Sequence, residues 1–186
     1  MGGKGMIDMT AMDSRNRFAN TLKELAAKKT LEKITTEEIV KAAGLSRQTF
    51  YKFFSDKYDL AFWCYQRDMT PVIQEYADVK ISFHEMNVRM LEMLLQEKNF
   101  YRNVFDHYEV QNSFFRQYHR FSCDNTVSFF GRVDKKMRAI IDLYCYGCNL
   151  AMLDWVVGGM KETPEFMAEL FDQALPVCMK RMASED

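Results

Sequence analysis

Between Ile34 and Phe54 the sequence reads ITTEEIVKAAGLSRQTFYKFF, and it carries two sets of helix-boundary signals on either side of one glycine. Thr35 followed by Glu38 has the form of a capping box, in which each residue's side chain satisfies the other's free backbone N–H. Ile39, Ala42 and Ala43 supply one apolar side of a helix of about two turns, and Gly44 stands where a helix can end in a left-handed conformation. Ser46 then caps a second helix from Arg47 to about Phe53, with Leu45 before the cap and Phe50 at the fourth helical position as a hydrophobic staple. Two short helices joined by a three- to four-residue turn containing glycine form a helix-turn-helix. The second helix of that motif lies in the DNA major groove, led by its N-terminal residues.

The same spacing sorts the residues of the second helix. At 100° per residue, Leu45, Phe50 and either Phe53 or Phe54 turn inward, while Arg47, Gln48, Thr49, Tyr51 and Lys52 fall toward the opposite side. The chemistry of that polar side suits base edges: Arg can bond guanine O6 and N7, Gln can bond adenine N6 and N7, and Thr offers a methyl to thymine.

The remainder of the chain extends the helical expectation. Residues 1–12 are expected to form a flexible tail, and order is expected from Asp13, after which Phe18, Leu22, Leu25 and Ala26 recur at helical spacing up to Lys28 and Lys29. With three prolines and eight glycines in 186 residues, and no alternating apolar pattern, the fold class is all-α with about nine helices. Residues 13–56 are assigned to the helix-turn-helix domain and 57–186 to a helical ligand-binding and dimerisation domain. A fourth helix starts after Asp56 and is expected to break near Thr70-Pro71, because the residue before proline disfavours helix. Ser82 and Glu85 repeat the capping-box pattern, short and longer helices follow over 99–108 and 111–130, and 134–157 forms a long one ending at Gly158-Gly159. Thr163-Pro164 opens the last helix, which Pro176 should kink or end.

Charge and cysteine content narrow the function. Residues 1–60 carry eleven Lys/Arg against eight Asp/Glu while 61–186 carry fourteen against eighteen, so the first third is the part suited to a polyanion. No run of eighteen apolar residues occurs and the first ten residues lack a signal-peptide core, so neither membrane insertion nor export is expected. Five cysteines without framework spacing fit a reduced, cytoplasmic compartment. No nucleophile elbow, phosphate-binding loop or metalloprotease helix occurs, so no enzyme and no cofactor is expected. Cys145-x-x-Cys148 has zinc or redox spacing but sits in an apolar helix without a second pair, and His84, His107 and His119 are scattered. The expectation is no metal, with a thiol or zinc sensor through Cys145 and Cys148 as a minor alternative.

Ile34 to Leu60, ITTEEIVKAAGLSRQTFYKFFSDKYDL, resembles the DNA-binding region of the tetracycline-repressor (TetR) family: a Thr-led helix, Ala-Gly, a recognition helix ending in Tyr-x-x-Phe, and a Lys opening the fourth helix. The resemblance implies phosphate contacts at Thr35, Thr36, Tyr51 and Lys57, and base-edge contacts at Arg47, Gln48, Thr49 and Lys52. Phe53 departs from the family, many members of which carry His there. NFYRNVFDHYEVQNSFF and YGCNLAMLDWVVGGMKETPEF are similar to a Firmicutes-type branch that includes relatives of the activator of dihydroxyacetone kinase operons. Membership implies a homodimer on a near-palindromic DNA operator, acting as a repressor, with an interface from the last two helices; Ile141, Trp155, Phe166, Leu170, Phe171 and Ala174 are the candidates. For a small, largely apolar or aromatic effector, the candidate pocket residues are Trp63, Asn103, Phe105, Tyr108, Asn112, Phe115, Tyr118, Tyr144, Cys148, Asn149 and Met152. A partner protein in place of the effector, with the chain acting as an activator, is the alternative.

Overall fold

The structure is a computed structural model that describes residues 3–106 and 113–182; among these it has ten α-helices, one short 3-10 turn and no strands. The helices are α1 (Gly3–Ala26), α2 (Thr36–Ala43), α3 (Arg47–Phe53), α4 (Lys57–Ala77), α5 (Phe83–Gln96), α6 (Lys98–Phe105), α7 (Ser113–Phe130), α8 (Lys135–Val157), α9 (Pro164–Ala174) and α10 (Val177–Met182). The all-α expectation holds, with ten helices in place of about nine.

Three boundaries depart from the sequence reading. α1 starts at Gly3 rather than near Asp13, and the Met, Ile and Ala that follow its two N-terminal glycines are compatible with helix. α4 runs through Pro71 without ending. Thr70 and Pro71 face solvent while Met69, Val72 and Ile73 are buried, so the ring projects outward and packing on the inner side holds the helix across the missing N–H. At Pro176 the chain stops α9 and immediately starts α10, dividing the last segment into two helices.

The chain divides into two compact units. The first comprises Met1–Gln66 with Asn99–His107, the second Arg67–Lys98 with Tyr108–Asp186, so α4 contributes its beginning to one and its end to the other. This differs from a division at residue 57, because α6 packs with the helix-turn-helix bundle. Asn103 Nδ2 donates to the carbonyl of Ala26 (2.7 Å), satisfying the orphan acceptor at the end of α1. Tyr65 and Tyr101 meet edge to face at 6.4 Å. The core of this unit is aromatic: Phe18 lies 5.3 Å from Phe50 and 6.3 Å from Phe54, and Phe50 lies 5.7 Å from Phe54. Burial of each such ring contributes about 1.5–3 kcal/mol.

In the second unit, α5 packs on α9 and α7 on α8. Cys123, Ile141, Cys145 and Met179 form one buried cluster there, flanked by Val127, Met137 and Tyr144. Caps hold the helix ends. Ser82 Oγ accepts from the Glu85 N–H (3.1 Å), Asp134 Oδ1 from the Met137 N–H (2.7 Å) and Thr163 Oγ1 from the Phe166 N–H (3.2 Å). The Ser82 cap is one-sided, because the Glu85 carboxylate pairs with Arg89 instead. α8 is long and apolar enough to cross a membrane by length and composition alone, yet Ile141, Cys145, Met152 and Trp155 pack inside this unit.

Candidate nucleic-acid interface

The start of α2 is built as the sequence spacing requires. Thr35 Oγ1 accepts from the Glu38 N–H (3.2 Å) and Glu38 Oε2 accepts from the Thr35 N–H (2.9 Å), completing the capping box. Lys29 Nζ donates to Glu38 Oε1 at 2.6 Å and, with the Thr35 backbone bond, holds the Glu38 carboxyl below its ordinary value. Thr35 therefore spends its hydroxyl on the cap. The half-buried Thr36 and the free N–H groups of the first turn are what α2 can offer to an anion.

Gly44 makes the turn. Its φ of 62° and ψ of 34° lie in the left-handed region that glycine enters without a steric cost, and its N–H reaches the carbonyls of Val40 and Lys41. Arg17 Nη2 donates to the Ala43 carbonyl (2.8 Å), tying α1 to the end of α2. Ser46 Oγ then accepts from the Thr49 N–H (3.0 Å) and lies 2.8 Å from the Thr49 hydroxyl, so Thr49 is held in place by the cap.

α3 separates its two faces sharply. Phe50 has no exposed surface and Phe54 follows it into the core, while Phe53 sits half-buried at the edge beneath Arg15 (5.1 Å) and Lys52 (5.5 Å). Phe54 is thus the inward partner of Phe50. On the other side Arg47, Gln48 and Lys52 are exposed and Tyr51 is 50% exposed. Gln48, Thr49, Tyr51 and Lys52 border one open concave patch, and the Arg47 guanidinium lies 6.0 Å above the Tyr51 ring.

Lys57 is placed differently from a free phosphate ligand. Its Nζ donates to the carbonyls of Glu32 (2.7 Å) and Ile34 (2.8 Å), which fixes the chain entering α2. Burial holds the Lys57 ammonium below its ordinary value. Two of its three donors are committed, and one is left for a phosphate.

The candidate pocket residues fall in both units. Asn103 caps α1 and Phe105 fills the core of the first unit, where Trp63 also packs, 6.0 Å from Phe54. Tyr108 and Asn112 lie outside the described residues. In the second unit Phe115, Tyr118, Asn149 and Met152 are buried on α7 and α8, and Phe115 stacks in parallel with His119 at 6.0 Å. Tyr144 donates to the Phe171 carbonyl (2.9 Å), and with Cys148 it borders an outward-facing groove of about 500 Å³ between α8 and α9.

Among the interface candidates, Ile141 and Trp155 are buried within the unit, Trp155 with its Nε1 donating to the Glu162 carbonyl (3.0 Å). Phe171 is buried as well, at the floor of the groove. Phe166, Leu170 and Ala174 are exposed. Leu143, outside the candidates drawn from the sequence, is 78% exposed, and Gly147 and Ala151 are exposed on the same face. Their spacing of four residues along one helix was the available signal.

The histidines and cysteines also sort in an unforeseen way. His119 and Cys123, one turn apart on α7, meet Asp142 of α8, with ligand atoms all within 4.8 Å of one another. Cys145 turns toward Cys123 and Thr126, while Cys148 lies beside Tyr144, so Cys145 and Cys148 do not share a site.

A family profile described as "Bacterial regulatory proteins, tetR family" matches residues 20–62, and one described as "Transcriptional regulator C-terminal region" matches residues 82–176. The HTH-type transcriptional regulator SAB2452 of Staphylococcus aureus (strain bovine RF122 / ET3-1) is 32% identical over 91 residues, 47% of this chain and 49% of that protein. The match thus spans about half the length of the curated relative. A TetR transcriptional regulator from Streptococcus agalactiae 2603V shares the fold with a TM-score of 0.62 and 16% identity, over 90% of this chain and 97% of its own. The dihydroxyacetone kinase operon activator DhaS does so with a TM-score of 0.54 and 14% identity, over 91% and 96%. The capped helix-turn-helix and the profiles over both regions converge: the chain belongs to the tetR family of bacterial regulatory proteins.

Proposed function

We propose that the protein is a homodimeric, cytoplasmic repressor that sits on a near-palindromic operator and is released by a small, largely apolar or aromatic effector. The observation that carries this reading is α3 itself. Phe50 and Phe54 lock one face into the bundle and Ser46 caps its start, so Arg47, Gln48 and Lys52 stand exposed on a helix that cannot turn. Arg47 and Gln48 lead the helix and are assigned to base edges, with Thr49 and Lys52 beside them. Tyr51, Thr36 and the first turn of α2 are assigned to phosphates.

A dimer would place two such helices in successive major grooves, about 34–36 Å apart. The exposed apolar face of Leu143, Gly147 and Ala151 on α8 with Phe166, Leu170 and Ala174 on α9 supports self-association, since small residues at four-residue spacing let a second helix approach. The effector is assigned to the buried aromatic region of Phe115, Tyr118, Asn149 and Met152. It would act through its differential affinity for the DNA-binding and released forms. The shared fold with an operon activator supports a second reading, in which a partner protein replaces the effector and binding activates transcription.

The test is a footprint of the purified protein on the DNA upstream of its own gene. Arg47→Ala should weaken specific binding by about 1–3 kcal/mol and relax the preference at one base pair of each half-site. A variant that protects the same operator as tightly as the parent overturns the assignment of α3 as the reading helix.

A further inference from the structure

We propose that His119, Cys123 and Asp142 form a zinc site joining α7 to α8, a role that goes beyond DNA recognition. The three side chains supply one nitrogen, one sulfur and one carboxylate oxygen, a donor set that zinc accepts in tetrahedral geometry. His119 and Cys123 are four residues apart and so share one face of α7, while Asp142 enters from the facing helix.

The distances suit the metal. Zinc bonds of about 2.3 Å to sulfur and 2.0–2.1 Å to nitrogen place the two ligand atoms of a tetrahedron roughly 3.5 Å apart. Cys123 Sγ lies 3.6 Å from His119 Nε2. Closing the site on Asp142 requires the remaining separations, at most 4.8 Å, to contract by about an ångström, within reach of a side-chain rotation.

The surroundings are arranged as the outer shell of such a site would be. Asn149 is 4% exposed, the one buried polar residue among the described core, and its amide nitrogen Nδ2 sits 3.1 Å from His119 Nδ1, the reverse placement of the amide putting its oxygen there. An amide can present either oxygen or nitrogen, so Asn149 can accept from Nδ1–H and leave Nε2 as the ligand atom, the outer-shell device that orients metal-bound imidazoles. Arg138 Nε donates to Asp142 Oδ1 (3.3 Å), which orients the carboxylate and leaves its other oxygen for the metal. The Cys123 thiol releases its proton on loading. The charges of thiolate, carboxylate and a doubly charged ion sum to zero.

The experiment loads the full-length, tag-free protein with zinc and, separately, with cobalt as a spectroscopic stand-in. One zinc per chain retained through dialysis, and a thiolate-to-cobalt charge-transfer band in the near ultraviolet, are the expected results. Cys123→Ser should abolish the band, and His119→Gln and Asp142→Asn should each weaken retention, while Cys145→Ser and Cys148→Ser keep both metal and band. Asn149→Ala, acting on the metal through His119, should lower zinc affinity about 10–100-fold with the band intact. Asp142 is half-buried, so its variant is informative even if a cysteine variant fails to fold. No metal above background, or a band that survives Cys123→Ser in folded protein, overturns the site.

Discussion

Lys57→Met tests whether Lys57 clamps the helix-turn-helix or touches DNA. Methionine keeps an apolar stem of similar length and removes the ammonium that donates to the carbonyls of Glu32 and Ile34 at 2.7 and 2.8 Å. Water can replace the donor at the exposed Glu32 carbonyl, so little is lost there. The part-buried Ile34 carbonyl is left short of a partner, which costs about 1–3 kcal/mol. Relief of the burial that lowers the Lys57 pKa offsets part of this, leaving a net loss of about 1–2 kcal/mol. At about 2–4 °C per kcal/mol for a chain of this size, the melting temperature followed by circular dichroism should fall by about 2–8 °C. Titrating operator DNA at several salt concentrations gives the second readout. If Lys57 neutralises a phosphate, its removal flattens the slope of log K against log salt by about 0.9, whereas removal of an internal clamp weakens binding with the slope unchanged. An unchanged melting temperature together with a flatter slope would refute the clamp and restore Lys57 as a phosphate ligand.

Other consequences can be checked independently. Glu38 has a folded pKa below its ordinary 4.5, chiefly through Lys29. Its contribution is therefore complete above about pH 5 and lost as pH falls through the lower folded value. The melting-temperature gap between the parent and Glu38→Gln should stay constant from pH 7 to 5 and close as pH falls below 4.5; a gap that persists into acid removes Lys29–Glu38 as its source. Leu143→Glu, on a residue 78% exposed, should leave the fold intact, convert the proposed dimer to monomer in sedimentation and reduce operator affinity at least tenfold. A dimer that survives both this change and Leu170→Glu places the interface elsewhere. Phe50→Ala, which empties a fully buried site, should destabilise the first unit by about 3–5 kcal/mol, seen as protease sensitivity of α3 at growth temperature.

The chain's own order of residues determined the caps whose partner lies within one turn, apart from the Glu85 half of the Ser82 box. Thr35 and Glu38, Ser46 and Thr49, Thr163 and the Phe166 N–H are three residues apart, close enough for backbone geometry alone to bring them together, and each cap forms as its spacing implies. Gly44 likewise needs nothing beyond its missing Cβ to end α2 left-handed. The inward and outward faces of α3 follow from the helical period in the same way. Only tertiary packing decided matters that depend on which helix lies against which. Ala26 and Asn103 are 77 positions apart, and no periodicity marks one as the cap of the other. Ile141 and Trp155 look as suited to an interface as Leu143 does, because an apolar stripe does not say which edge faces its own core and which faces outward. Pro71 reads as a break until Val72 and Ile73 are seen buried beneath it. Asp142 joins His119 and Cys123 only because α8 folds back on α7, so a donor set that is dispersed along the chain becomes a single cluster in space.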